Sequence, residues 1–125
     1  MATRSPKLRR INMKDCLFCK FISRELKTDI LYEDDNMIVI RDIAPQAKDH
    51  YLAISKSHFK LFEEMTEKDA EIVKGMLQTI PKLKDLLGLH NGYRVVINQG
   101  DDAGQTVPHL HIHILCGQKM EWHPA

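Results

Sequence analysis

The segment His109-Leu110-His111-Ile112-His113-Ile114-Leu115 carries the strongest chemical signal in the chain. An extended segment sends alternate side chains to opposite faces. His109, His111 and His113 therefore fall on one face, and Leu110, Ile112 and Ile114 on the other. Three neighbouring imidazoles are a poor structural choice, because each ring nitrogen needs a partner and adjacent imidazolium charges repel. Such a row, backed by a clean apolar face, points to a site. Two chemistries fit it. Neutral imidazole is a good zinc ligand. An imidazole can also attack a phosphoryl centre when its other nitrogen is held by a hydrogen bond, with flanking imidazoles on the phosphate oxygens.

The preceding loop, Gln99-Gly-Asp-Asp-Ala-Gly-Gln-Thr106, favours phosphorus. Gly100 and Gly104 let the backbone approach an anion, and Asn98, Gln105 and Thr106 offer neutral hydrogen-bond donors. Taken alone, the loop reads equally as a long hairpin turn. No clear Asp/Glu ligand set accompanies the histidines, which disfavours a metal hydrolase. Glycine-rich fingerprints of the dinucleotide and P-loop folds are absent. Cys16-x-x-Cys19 fits a metal or a redox pair, or two small buried residues; Cys116 reads as core.

The elements that must position these residues are legible. Leu17, Phe18, Phe21 and Ile22 are spaced for a short helix with Asp15 as its cap. Leu31–Glu33 and Met37–Asp42 flank the turn-prone Asp34-Asp35-Asn36 and predict a hairpin, and Tyr51–Ser55 a third strand. Thr66, with Asp69 three residues on, predicts the start of a long helix whose apolar stripe runs from Ile72 to Leu87. Pro81 should kink that helix and Gly88 close it. Tyr93–Asn98 and His109–Leu115 are the last strands. Helices and strands that alternate this poorly argue for an α+β fold.

With 125 residues the chain makes one domain. A formal net charge of +1 gives no basis for binding nucleic acid. No apolar run approaches the roughly 18 residues of a membrane span, so no membrane partner is expected. Residues 1–14 hold five cations and no acid and are expected to be a flexible basic tail, with a domain over 15–125. Three cysteines, an odd number, fit a reducing compartment, which implies the cytoplasm, and the nucleus as well if the source is eukaryotic.

The His109–Leu115 segment resembles the histidine triad (HIT) pattern, and the likeness extends further. Tyr32-Glu-Asp-Asp35, Asp42-Ile-Ala-Pro-Gln-Ala47, Gly88-Leu89 with Gly92-Tyr-Arg94, Asn98-x-Gly, Gly104-Gln-Thr106 and the Trp122 tail are similar to the Hint branch, the histidine triad nucleotide-binding proteins. The resemblance implies a five-stranded antiparallel sheet with one short and one long helix, continued as a ten-stranded sheet across a homodimer. It implies a purine nucleoside phosphoramidase that hydrolyses P–N bonds, such as adenosine 5′-phosphoramidate to AMP and an amine, through a nucleotidyl-histidine intermediate. The alternatives are a dinucleoside polyphosphate or adenylyl-protein hydrolase, or a nucleotide-binding interaction module.

Carried over residue by residue, the nucleophile is His111, His109 and His113 flank it, and His50 supports the triad through a hydrogen bond. Asp42 reads the ribose hydroxyls. Leu17, Phe18, Phe21, Ile40 and Ile43 form the base slot, for which plain core is the alternative at Leu17 and Ile40. Asn98, Gly104, Gln105 and Thr106 meet the phosphate, and Trp122 contacts the partner subunit. Arg41, where Hint-like proteins often carry His, is expected to change the base-side contacts. No cofactor is needed for catalysis. Zinc-carrying members of the wider family resemble this chain at Cys16, Cys19, His58 and His109, so a structural zinc stands beside simple burial of the cysteines.

Overall fold

The computed structural model describes residues 15–122; the basic segment 1–14 lies outside the described residues. Helix α1 (Leu17–Ile22) is followed by strands β1 (Tyr32–Glu33), β2 (Met37–Arg41) and β3 (Asp49–Ser55). Helix α2 (Glu67–Thr79), a 3₁₀ turn over Ile80–Leu83 and helix α3 (Lys84–Leu87) come next, then β4 (Arg94–Val96) and β5 (His111–Cys116). The five strands form one antiparallel sheet in the order β1-β2-β3-β5-β4. This is the α+β architecture expected.

Both faces of the sheet are apolar where helices cover them. Ile54 pairs with His111, Ala53 with Ile112 and Leu52 with His113, so the register alternates cleanly between faces. One face packs Val39, Ala53, Ile112 and Ile114 against Met76, Ile80 and Leu87 of the long helical segment. The other packs Ile38, Ile40, Leu52 and Ile54 under Phe18 and Cys16 of α1. His111 and His113 sit on this second face, beside the short helix. One helix thus secures the sheet while the other borders the histidines.

Local signals account for most boundaries. The Thr66 hydroxyl accepts from the Asp69 amide at 3.1 Å, and Asp69 returns a carboxylate to the Thr66 amide at 3.0 Å. Asp69 is also held by the Ser57 hydroxyl, which ties the helix start to the end of β3. Pro81 falls in the 3₁₀ turn, where the missing amide ends α2 rather than merely bending it. Gly88 closes α3 with φ 72°, a conformation that costs glycine little. At α1 the expectation fails: Cys16 holds the cap position and no side chain caps the helix. Asp15 is one residue too early.

Replacing Thr66 by Ala should destabilise the fold by about 1 kcal/mol, the usual loss of a helix cap. Urea denaturation checks this; an unchanged midpoint would show that the Asp69–Ser57 contact secures the helix start alone.

Candidate functional site

The three histidines of the motif are held in three different ways. His111 opens β5, and its Nδ1 lies 2.7 Å from the carbonyl of His109. A carbonyl only accepts, so Nδ1 carries the proton and Nε2 keeps a free lone pair. Burial holds the His111 pKa below the usual histidine range, against the opposing pull of that carbonyl. The ring is therefore neutral near pH 7, with its lone pair on Nε2. Phe18 packs edge-on against it at 4.9 Å between centroids.

His113 is set by a relay. The Gln46 amide donates to His50 Nδ1 at 3.0 Å, so the proton of His50 is on Nε2. That Nε2–H faces His113 Nδ1 at 2.9 Å. His113 Nδ1 is consequently an acceptor, and its proton sits on Nε2. Burial, then the neighbouring His111 and His50, push the His113 pKa down to about 4. His113 is a neutral hydrogen-bond donor next to the neutral ring of His111.

Asp42 joins this relay, with Oδ2 3.4 Å from His50 Nε2. The acidic partner absent from a reading of the sequence is thus supplied by the end of β2. Asp42, His50 and His113 bring three donor atoms within 4.8 Å of one another. A metal on His50 Nε2 would need the proton on Nδ1, where it would confront the Gln46 N–H. The trio is arranged to hold protons in order, and its hydrogen bonding opposes a cation.

His109 does something else. It precedes β5, is 0% exposed, and directs Nε2 at the Ser55 carbonyl, 2.6 Å away. Its proton is therefore on Nε2, and its free Nδ1 faces Cys16 Sγ at 3.4 Å, Cys19 Sγ at 3.5 Å and His58 Nδ1 at 3.0 Å. His58 Nδ1 is 3.2 Å from Cys19 Sγ. The hydrogen bond from the Cys19 thiol favours a thiolate on Cys16, and that thiolate raises Cys19. Ligands of a tetrahedral zinc stand about 3.3–3.8 Å apart given Zn–N and Zn–S bonds of about 2.0–2.3 Å. The four donors come close to that spacing, and the His109 bond to a carbonyl is the usual outer support of a ligating imidazole. These residues fit a closed, four-ligand zinc site. As a flanking phosphate partner His109 is corrected: both its nitrogens point away from such a role.

Other expected site residues divide. Gly104 turns with φ 85° at the end of the 3₁₀ turn over Asp101–Ala103, and Asn98 and Thr106 border the same loop. Gln105 is only 6% exposed; its side chain accepts from the Gly100 amide and donates to the Lys60 carbonyl. It braces the loop instead of offering a donor to a ligand. Ile40 and Phe18 are buried, whereas Leu17 is 41% and Ile43 100% exposed. Leu17 is therefore not core. Arg41 is corrected as well: its side chain lies over Tyr51, on the face covered by α2, and 3.8 Å from Asp49. Trp122 is exposed and stacks with Arg94 of the edge strand β4, 6.0 Å from ring centre to guanidinium. Cys116 is buried in the core as expected. Sequence reasoning missed the carbonyls of Ser55 and Lys60, the Gln46 amide and the Gln99 side chain, which accepts from Phe62. Backbone groups carry no residue-type signal, and only the fold reveals them.

A sheet that presents alternate histidines on its last paired strand, with a fourth histidine on the neighbour, defines the class of site. Residues 15–123 match a family model described as scavenger mRNA decapping enzyme, C-terminal binding. The chain is 43% identical over 112 residues to an uncharacterised HIT-like protein of Synechococcus elongatus, covering 90% of this chain and 98% of that one. It superposes on a HIT family hydrolase from Legionella pneumophila with TM-score 0.81 and 39% identity, over 88% of this chain and 99% of that one. A HIT family hydrolase from Clostridium thermocellum gives 0.80 and 43%, over 86% and 95%. The chain belongs to the histidine triad family. Among the described residues no helix is long and apolar enough to cross a membrane.

The depressed His113 pKa has a consequence for stability. The unfolded chain, with His near 6.5, binds the proton that the folded site refuses. This contribution is complete above pH 6.5 and falls away as the pH drops toward 4. Urea denaturation should show lower stability at pH 4.5 than at pH 7, with a smaller drop in His113→Asn; equal drops in both proteins would contradict the assignment.

Proposed function

We propose that the protein is a purine nucleoside phosphoramidase of the Hint type. The observation that carries this reading is the His111 Nδ1–H bond to the His109 carbonyl, which leaves the lone pair on Nε2. Nε2 attacks phosphorus as the P–N bond breaks, and the nitrogen, keeping the bonding pair, takes a proton from solvent and leaves as the amine. Water then attacks the nucleotidyl-His111 intermediate and releases the nucleoside monophosphate. His113 Nε2–H donates to a non-bridging phosphate oxygen. Asn98, Gly104 and Thr106 hold the phosphate, and Thr106 meets the leaving amine. Phe18, Phe21, Ile40 and the fully exposed Ile43 make the base slot, with Asp42 on the ribose hydroxyls.

Two further parts belong to this reading. A homodimer extends the sheet to ten strands through the edge strand β4, where exposed Tyr93, Val95 and Trp122 support an apolar contact. A zinc on Cys16, Cys19, His58 and His109 would supply a structural cross-link between α1 and the start of β5, with no open position for substrate. A second reading keeps the same histidine and changes the substrate to a dinucleoside polyphosphate, with cleavage of a phosphoanhydride; a match to a family described by mRNA decapping is compatible with it.

Steady-state turnover of adenosine 5′-phosphoramidate against a dinucleoside polyphosphate separates the two. His111→Asn should lose turnover by several orders of magnitude yet keep nucleotide binding, and a slow substrate should label wild-type protein on the peptide containing His111. A label elsewhere, or normal turnover in the variant, would overturn the mechanism. Sedimentation should give about twice the 14.5 kDa chain mass; a monomer refutes the dimer. Purified protein should carry close to one zinc per chain, and Cys19→Ser should lose it together with thermal stability. Metal-free protein of unchanged stability would leave the cysteines as buried residues only.

A further inference from the structure

Asp42 is assigned above to the ribose, but its surroundings in the chain give it a second task. Its Oδ1 accepts from the Ala44 amide at 2.8 Å, which fixes the carboxylate in a turn. Its backbone amide donates to the His50 carbonyl at 2.9 Å, which locks the two residues side by side. Oδ2 is then 3.4 Å from His50 Nε2, on the nitrogen that donates to His113. His50 is almost completely buried, so water screens this contact poorly.

His50 has two neutral tautomers. With the proton on Nε2, the ring donates to His113 Nδ1 with the positive end of that N–H 3.4 Å from the carboxylate, and presents a lone pair to the Gln46 amide. With the proton on Nδ1, an N–H would confront the Gln46 N–H, and a lone pair would confront the carboxylate. Both ends of the ring therefore select the first state. Only one of the two restraints is a side chain. Through His50 the choice passes to His113, whose Nδ1 must accept and whose Nε2 must donate. A His113 in the opposite state would turn a lone pair toward the phosphate oxygens.

We propose that Asp42 is a positioning residue for His113, acting through His50 to keep the Nε2–H of His113 directed at the phosphate, whether or not a ribose is present. The inference rests on the phosphoramidase reading for its kinetic consequence and on the hydrogen-bond geometry for the rest. A residue that only reads ribose would matter only to substrates that have one.

The test uses full-length Asp42→Asn. The amide keeps the size and an oxygen for the Ala44 turn, but brings an NH2 group against the His50 N–H. Asp42→Ala serves as the second variant should the first misfold. Nitrogen-15 spectra of histidine-labelled protein without substrate read the tautomers directly. His50 and His113 should both be Nε2–H in wild type, and His113 should shift to a mixture in the variant. With an acyclic phosphoramidate that lacks ribose hydroxyls, kcat should fall at least about tenfold while KM changes little, as for loss of an aligned donor. Unchanged tautomers overturn the inference whatever the kinetics, and so does a tautomer shift with unchanged acyclic turnover. If wild type cleaves no phosphoramidate, the functional reading fails and the tautomer comparison alone decides the role of Asp42.

Discussion

Each histidine of this site has one nitrogen committed to a fixed partner, and the free nitrogen is what remains. A carbonyl takes the Nδ1–H of His111, another takes the Nε2–H of His109, and a backbone amide fills Nδ1 of His50. Neutral imidazole has one donor and one acceptor, so settling one nitrogen settles the other. Everything chemical about the site follows from these commitments. The lone pair on His111 Nε2, the neutral donor beside it and the cysteine-facing nitrogen of His109 are three outcomes of one rule.

The fold supplies those partners through strand register. The Ser55 carbonyl reaches His109 because β3 ends where the chain enters β5. His50 reaches His113 because both lie on adjacent strands and on one face, with Leu52 between them as the direct partner of His113. A slip of one residue would turn His111 and His113 toward α2 and into an apolar core, where their second nitrogens would have no partners. Register and proton placement are therefore secured by the same apolar alternation of Leu110, Ile112 and Ile114.

Side-chain pattern made much of this legible. The alternation in β5, the Thr66–Asp69 cap, the break at Pro81 and the closing Gly88 are local features, written where they act. What escaped is long-range or backbone in origin. Equal spacing makes the three histidines look equivalent, and only the family resemblance set His109 with the cysteines; the fold gives the reason, because β5 pairing begins only at His111. Asp42 is separated from His113 by most of the chain, so its place beside His50 emerges only when β2, β3 and β5 align. Gln105 resembles a ligand donor by type, and its burial against Lys60 is a property of the packed loop.

The loop between β4 and β5 holds its shape without help. Gln105 joins Gly100 to Lys60, and Gln99 joins Phe62 to the same Lys60 carbonyl. Both bridges anchor the loop to the segment after β3. Its conformational entropy is thus surrendered during folding and not at encounter with an anion. In the proposed phosphate-binding role, association at this rim would approach docking onto a rigid surface, where small anions of similar shape would compete on fit and charge, with no loop closure to favour one over another.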